Sequence, residues 1–183
     1  MKRSFILLFF IFIGFSCATK NELSKEFNCD SDSFSNLEKI EDVKKLFSIH
    51  FPDSWKTNLY YDNNQSSIFS ADTTKQLTET MLIDITHISN QLLFDTSFTE
   101  KFKSSLLQEK LVEITSGLLI FKEKNTYYSI AIGKKRTFEY KIYNLFIKLD
   151  ENNYIHSKIE VYGDSLVDQR ICTGINLLEK ITY

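Results

Sequence analysis

The sequence predicts a single α+β domain in which helices flank an antiparallel β-sheet. Its patterns run in the order strands, helix, strands, helix, which is typical of that fold class. Short polar stretches such as "DNNQ" and "DENN" separate neighbouring strands and favour hairpin connections. The 183 residues are 43% hydrophobic, so the chain can supply one core. It contains only one proline and five glycines, which leaves little room for long linkers.

The first predicted element is a short helix that leads into the domain. Ser35 and Glu38 have the spacing of a capping box. Leu37, Ile40 and Val43 then recur at helical intervals.

Four strands are predicted before the central helix. Phe47, Ile49 and Phe51 alternate with polar residues and are followed by Pro52, which indicates a strand with one solvated side. The other three predicted strands cover residues 55–61, 66–71 and 79–88.

A helix, four strands and a last helix are predicted in the second half. Phe98, Phe102 and Leu106 share one face of a helix over residues 97–110. The strands form a hairpin over 116–133 that turns at Glu123 to Asn125, followed by strands over 137–149 and 154–162. The last helix begins at a capping box of Ser165 and Asp168, and its apolar stripe consists of Val167, Ile171, Ile175 and Leu178.

The stretch "LFSIHFPDSWK" combines an alternating strand, Pro52 and, after two further residues, Trp55. It resembles the opening of PsbP-like domains, the family of the extrinsic PsbP subunit of photosystem II. The order of elements over residues 46–181 is similar as well. The resemblance implies an α/β/α sandwich over residues 35–183 and a non-catalytic accessory domain that docks on a larger assembly. A photosynthetic role does not follow, because a fold does not carry a function with it.

Residues 1–16 have the pattern of a secretory signal peptide. Lys2 and Arg3 precede an apolar run over 5–15 that is too short to span a membrane, and Ser16 is a small residue before a cut site. The stretch "GFSC", which ends at Cys17, resembles the lipobox of bacterial lipoproteins, in the relaxed form found in Bacteroidota. The alternative is an ordinary cleaved signal, which would leave Cys17 as a reactive exposed thiol.

We therefore expect lipid attachment at Cys17 and a polar tether over residues 17–34. Ala18 resembles the residue that follows the cysteine in lipoproteins sent to the outer membrane. Without residues 1–16 the chain keeps 20 basic and 24 acidic residues, a net charge of −4. That balance argues against a nucleic-acid-binding surface. The expected location is the bacterial envelope, with the lipid in the membrane.

Two cysteines remain if Cys17 is lipidated. Cys29 and Cys172 are an even pair in an exported chain, which suggests a disulfide between the tether region and the last helix. The alternative is two buried thiols.

"GDSL" at residues 163–166 resembles the nucleophile block of GDSL esterases. A catalytic Ser165 would need a histidine as its base, and that family places the histidine downstream. No histidine follows Ser165 in this sequence. The alternative is structural, with a glycine for the turn and Ser165 as a helix cap.

No cofactor or metal site is expected. His50, His87 and His156 are the only histidines and fall on three different predicted strands, without the short spacings of metal-binding motifs. The segment "FSADTTKQLTET", residues 69–80, is either a recognition loop or a solvated connection with Asp72 as a cap.

The sequence thus favours a lipid-anchored, non-enzymatic binding or assembly module with an envelope protein as its partner. Two alternatives stay open. One is an esterase that uses Ser165, and the other is a periplasmic carrier that holds a small apolar ligand between sheet and helix.

Overall fold

A computed structural model describes residues 22–183 of the protein. The helices in this part of the chain are α1 (Glu22–Glu26), α2 (Thr96–Gln108) and α3 (Val167–Leu178). The strands are β1 (Leu37–Glu41), β2 (Ser48–Pro52), β3 (Lys56–Tyr61), β4 (Gln65–Ala71), β5 (Met81–Ser89), β6 (Leu111–Phe121), β7 (Lys124–Lys135), β8 (Phe138–Lys148) and β9 (Asn153–Tyr162). None of these helices is long and apolar enough to cross a membrane.

Seven strands form one antiparallel sheet in the order β3-β4-β5-β9-β8-β7-β6. Hairpins join β3 to β4 and β6 through to β9 along the chain. Helix α2 carries the chain from the interior strand β5 to the edge strand β6. The predicted α+β class, with an antiparallel sheet and helices on its faces, is confirmed.

One face of the sheet, the α3 face, carries the main core. Ile83 and Ile85 of β5 and Ile155 and Ile159 of β9 are fully buried there against α3. The predicted stripe of α3 is confirmed, since Ile171, Ile175 and Leu178 are buried and Val167 packs on the same cluster. Gly174 permits this close packing, because a Cβ on it would lie 2.8 Å from the Ile159 side chain.

The polar segment expected to be a tether is partly folded onto the α3 face. Leu23 of α1 is fully buried, and the backbone N–H and hydroxyl of Ser24 donate to Glu179 Oε1 at 2.8 Å each. Cys29 and Cys172 lie together in a disulfide with an S–S distance of 2.05 Å, as the even pair predicts. The expectation of a solvated spacer up to residue 34 is therefore wrong for residues 23–29. Although the segment is mostly polar, it contains a few apolar side chains that α3 and the sheet can bury.

The helix predicted after Ser35 is also wrong. Leu37–Glu41 is strand β1, paired antiparallel with β2. Asp42 holds the connection, because its carboxylate accepts N–H bonds from Lys44, Leu46 and Phe47 at 2.6–2.9 Å. Pairing with β2 overrides a helical pattern of only three apolar residues, because intrinsic propensity is a weak preference.

Two smaller expectations differ by one or two residues. The β6–β7 hairpin turns at Lys122 and Glu123, both at positive φ, and not at Glu123 to Asn125. Helix α3 has Leu166 as its N-cap, at φ 48°, with no side-chain cap bond. Ser165 lies one residue too early to cap, so the predicted capping box is absent.

In the described part of the chain, the opposite face, the α2 face, is covered by α2 and by Leu92 and Phe94 of the connection that precedes it. Phe98 and Phe102 pack edge-on against Phe146, with ring centroids 5.2 and 5.1 Å apart. Tyr127 completes the cluster, 5.2 Å from Phe98. The predicted apolar face of this helix is confirmed.

Candidate functional site at the start of α3

A cleft of about 530 Å³ lies where α3 begins. We call it the α3 cleft. It brings together three stretches that the sequence analysis singled out separately. The lining residues are Pro52 and Trp55 from the PsbP-like stretch, Asp72, Lys75, Glu79 and Thr80 from the loop at 69–80, and Ser165 and Leu166 from "GDSL", together with Phe34, Met81, Gln169, Arg170 and Thr173.

Arg170 is the most unusual group in the lining, because it is a cation with only 7% of its surface exposed. Its Nη1 donates to the carbonyl oxygens of Thr80 at 2.6 Å and Tyr162 at 3.0 Å. Its Nε and Nη2 are buried without a hydrogen-bond partner in the described part of the chain. Buried polar groups are normally satisfied, so this guanidinium retains unused donors.

Arg170 is a buried charge with little compensation nearby. Burial lowers the pKa of its guanidinium from the usual value, and Asp164 and Glu79 oppose that change. No carboxylate among the described residues lies within ion-pair distance of it. The cleft therefore borders a buried positive charge that only backbone carbonyls and more distant carboxylates balance.

The loop at 69–80 forms one wall and is ordered by its own side chains. The Asp72 carboxylate accepts bonds from the Thr74 N–H at 3.0 Å and the Thr74 hydroxyl at 2.6 Å, and the Lys75 ammonium lies 3.5 Å away. Burial raises the pKa of Asp72, but these bonds and the charge of Lys75 outweigh that effect and hold the pKa below its usual value. Asp72 caps its own loop, as one of the two sequence hypotheses holds, and the loop also borders the cleft, as the other requires.

Aromatic side chains form the other wall. Trp55 stacks on Phe51 with ring centroids 5.7 Å apart, and Phe34 packs against the main core. The Lys180 ammonium lies 5.7 Å from the centre of the Phe34 ring. An aromatic wall in the same cleft as a buried cation suits a partner that brings apolar surface together with negative charge.

Ser165 is exposed on the rim of this cleft. None of the three histidines is among the lining residues. Gly163, two residues earlier, has φ 76°, so the predicted turn at this glycine is confirmed, whereas the capping role predicted for Ser165 is wrong. Among the described residues that line the cleft, the geometry gives Ser165 no histidine as a base.

The histidines lie apart on different surfaces. His50 belongs to β2, while His87 and His156 belong to the paired strands β5 and β9. His156 is opposite Thr86 in the register, so His87 projects to the other face of the sheet. No cluster of metal-ligating side chains occurs among the described residues.

His156 is held as a neutral ring on the α2 face. It stacks on Phe146 at 4.0 Å, and its Nε2 shares a 3.0 Å hydrogen bond with Asn144 Oδ1. Burial, with a smaller contribution from the charge of Lys158, lowers the pKa of His156 to about 3. Burial also lowers the pKa of His87.

Sequence reasoning missed Arg170, although a signal for it exists. The residue lies three positions after Val167 and directly before Ile171, so it falls on the apolar stripe of α3. A charged residue on the buried stripe of a helix predicts a buried charge that needs specific partners. Cys17, the predicted lipid attachment site, lies outside the described residues.

No protein-family model matches the chain, and no curated protein matches its sequence. The PsbP protein CyanoP of Synechocystis sp. PCC 6803 is similar in structure, with a TM-score of 0.59, 9% identity, and coverage of 84% of this chain and 96% of CyanoP. The chain has the PsbP-like fold.

Two further solved structures share this fold. The Ran-binding protein Mog1p of Saccharomyces cerevisiae matches with a TM-score of 0.54 and 10% identity, over 81% of this chain and 96% of Mog1p. A protein of Bacteroides thetaiotaomicron matches with a TM-score of 0.52 and 13% identity, over 81% of this chain and 48% of its own length. Identities this low show the fold and leave function to be argued from the site.

Proposed function

We propose that this chain is a lipid-anchored, non-catalytic module of the bacterial envelope that binds a partner protein at the α3 cleft. The observation that carries the proposal is Arg170, a buried cation with two unused donor nitrogens beside an aromatic wall. Arginine and aromatic residues are enriched where protein partners bind.

The anchor is proposed from the signal-like residues 1–16 and the lipobox-like "GFSC". Helix α1 begins at Glu22, five residues after Cys17. Five extended residues span at most about 18 Å. A lipid on Cys17 would therefore hold the folded domain close to the membrane surface, with a much shorter tether than the polar composition up to residue 34 suggests.

The non-catalytic part of the proposal is supported by the surroundings of Ser165. A serine nucleophile needs a base within hydrogen-bond reach. Ser165 is exposed, and the side chains that share its cleft are two carboxylates, an amine, an amide, the Arg170 guanidinium, hydroxyls and apolar groups, without an imidazole among the described residues. The esterase alternative predicts hydrolysis of a short acyl ester that Ser165→Ala abolishes, and we expect no such activity.

The anchor is tested by growing cells with an alkyne-labelled fatty acid and recovering the full chain. We expect label on the wild-type protein and none on Cys17→Ala. Label on both proteins, or on neither, would contradict lipid attachment at Cys17.

The binding role is tested by purifying the tagged full chain from native membranes after mild crosslinking. Lys75→Glu reverses a charge in the α3 cleft, and Lys101→Glu makes the same change on the exposed side of α2. We expect a specific partner with the wild type and Lys101→Glu, and loss of that partner with Lys75→Glu. A partner retained equally by both variants would move the binding site elsewhere.

A second candidate function is a carrier of a small molecule. The volume of about 530 Å³ falls within the range of small-molecule sites. Arg170 and the aromatic wall would favour an organic acid with an apolar body over a purely apolar ligand. Native mass spectrometry of protein from cell extracts would reveal a bound mass, lost on denaturation, if this function is correct.

A further inference from the structure

The outer strand β6 presents an unusually unprotected edge. In the described part of the chain it pairs only with β7. The backbone N–H and C=O of every second residue along it therefore point away from the sheet. Its 11 residues, "LVEITSGLLIF", include one charged residue and no proline. The charge and proline by which edge strands commonly avoid further pairing are nearly absent.

The same edge exposes apolar side chains. Leu118 is 65% exposed and Ile120 is 54% exposed, on the part of the α2 face that helix α2 does not cover. They border a cleft of about 430 Å³ that also contacts Leu92, Leu93 and Phe94 of the β5–α2 connection. An apolar cleft continuous with a free strand edge is typical of a surface that binds another polypeptide.

We propose that the β6 edge binds a second copy of this chain, by antiparallel pairing of residues 115–121 from both copies. A bulge between Glu113 and Thr115 interrupts the strand, so regular pairing is confined to that stretch. Antiparallel pairing centred on Leu118 sets Ser116 against Ile120 and Gly117 against Leu119. Leu118 and Ile120 then lie on the same face in both copies.

The charge pattern of the strand favours this occupant. Residues 115–121, "TSGLLIF", contain no ionisable side chain, so a second copy brings no like charges together. Glu113, the one carboxylate of the strand, already has the Lys103 ammonium 3.3 Å away. Each copy would also cover the exposed Leu118 and Ile120 of the other.

Symmetry makes the pairing compatible with a common membrane. The two-fold axis of an antiparallel strand pair is normal to the sheet, so it keeps the α3 faces of both copies on one side. Helix α1 lies on that face, where Phe27 packs 4.9 Å from Tyr128 of β7. The anchors of the two copies would therefore lie on the same side of the dimer. This compatibility with a membrane rests on the proposed anchor at Cys17, whereas pairing through the β6 edge does not depend on it.

The test places a cysteine on the two-fold axis. Leu118→Cys in the full chain is oxidised in native membranes and compared with Leu59→Cys, which lies on β3 at the opposite edge of the sheet. We expect a disulfide-linked dimer of Leu118→Cys and none of Leu59→Cys or of the wild type. Equal dimer yields from the two variants, or none from either, would overturn the proposal.

A second variant addresses the strength of pairing. Leu118→Lys places a charge at an exposed position, so we expect complete loss of the dimer in sedimentation of detergent-solubilised protein, with an unchanged circular dichroism spectrum. Wild-type protein that sediments only as a monomer would contradict the proposal. A photo-crosslinker at position 118 that captures lipid or a different protein would contradict it as well. Dimers that persist in Cys17→Ala would show that pairing at β6 does not depend on the lipid anchor. Failure of the proposed anchor and failure of the proposed pairing are therefore distinguishable.

Discussion

The two faces of the sheet are covered by different means. The α3 face has two helices, the β1–β2 pair, a disulfide and the C-terminal bridge between Ser48 and Thr182. The α2 face has one helix, which is held by an aromatic cluster and leaves Leu118 and Ile120 of β6 exposed. This difference indicates that stability is concentrated on the α3 face, while the α2 face retains apolar surface for association.

The largest effect is expected from removing the covalent link on the α3 face. The disulfide joins residues 143 positions apart, and the chain-entropy model assigns about 5 kcal/mol to a loop of that length. We expect Cys29→Ser with Cys172→Ser to lose up to that amount in the free energy of unfolding, measured in denaturant. Full stability of the double variant would show that the packing of α1 and α3 needs no covalent link.

The next effect concerns the α2 face. Phe98→Ala removes a half-buried ring that contacts Phe146 and Tyr127. We expect a loss of about 2–3 kcal/mol in the free energy of unfolding, below the range for fully buried phenylalanines. Because the disulfide lies on the other face, its removal and Phe98→Ala should have additive effects. Strong coupling between them would contradict the separation of the two faces.

The pH dependence compares one buried histidine on each face. Burial lowers the pKa of both His156 and His87, so below about pH 6.5 the unfolded chain binds protons that the folded chain does not. The stability that His156 contributes is thus complete above that pH and is lost as the pH falls toward about 3, by up to about 1.4 kcal/mol per pH unit. His87 adds a loss in the same direction.

Denaturant unfolding at pH 7.0, 6.0 and 5.0 measures this slope above the usual range of carboxyl pKa values. We expect His156→Gln to reduce the slope and His156→Gln with His87→Gln to remove most of it. An unchanged slope in the double variant would show that other groups titrate in this window.

The smallest effects compare the two helix starts. The Asp95 carboxylate accepts the Phe98 N–H at 2.8 Å and caps α2, whereas α3 has no side-chain cap bond. We expect Asp95→Ala to cost about 1 kcal/mol and Ser165→Ala to change the free energy of unfolding by less than about 0.5 kcal/mol. A larger loss with Ser165→Ala would restore the predicted capping box.

Most strands and both long helices could be predicted from the sequence because their apolar periodicity is a local property. The strand β1 could not, because its pairing with β2 competes with three apolar residues at helical spacing. The polar composition of residues 23–29 predicts a tether, whereas a few side chains, Leu23 and Cys29 among them, fix the segment to the domain.

The candidate site was predictable only in pieces. The loop at 69–80, Trp55 and "GDSL" each stand out in the sequence, but only the fold brings them to one cleft. Arg170 acquires its importance from burial against the carbonyls of Thr80 and Tyr162, which are far apart in the sequence. The exposed edge of β6 follows from the order of strands in the sheet, and no local pattern indicates that order.

The proposed function is tested most directly by a photo-crosslinking amino acid at Gln169, on the exposed rim of the α3 cleft, in the full chain in native membranes. The same group at Glu100, exposed on α2, is the matched control. We expect one discrete protein adduct from position 169, none from position 100, and loss of the adduct in Cys17→Ala. Absence of an adduct at 169, or the same adducts from both positions, would contradict a membrane-anchored module that binds its partner at this cleft.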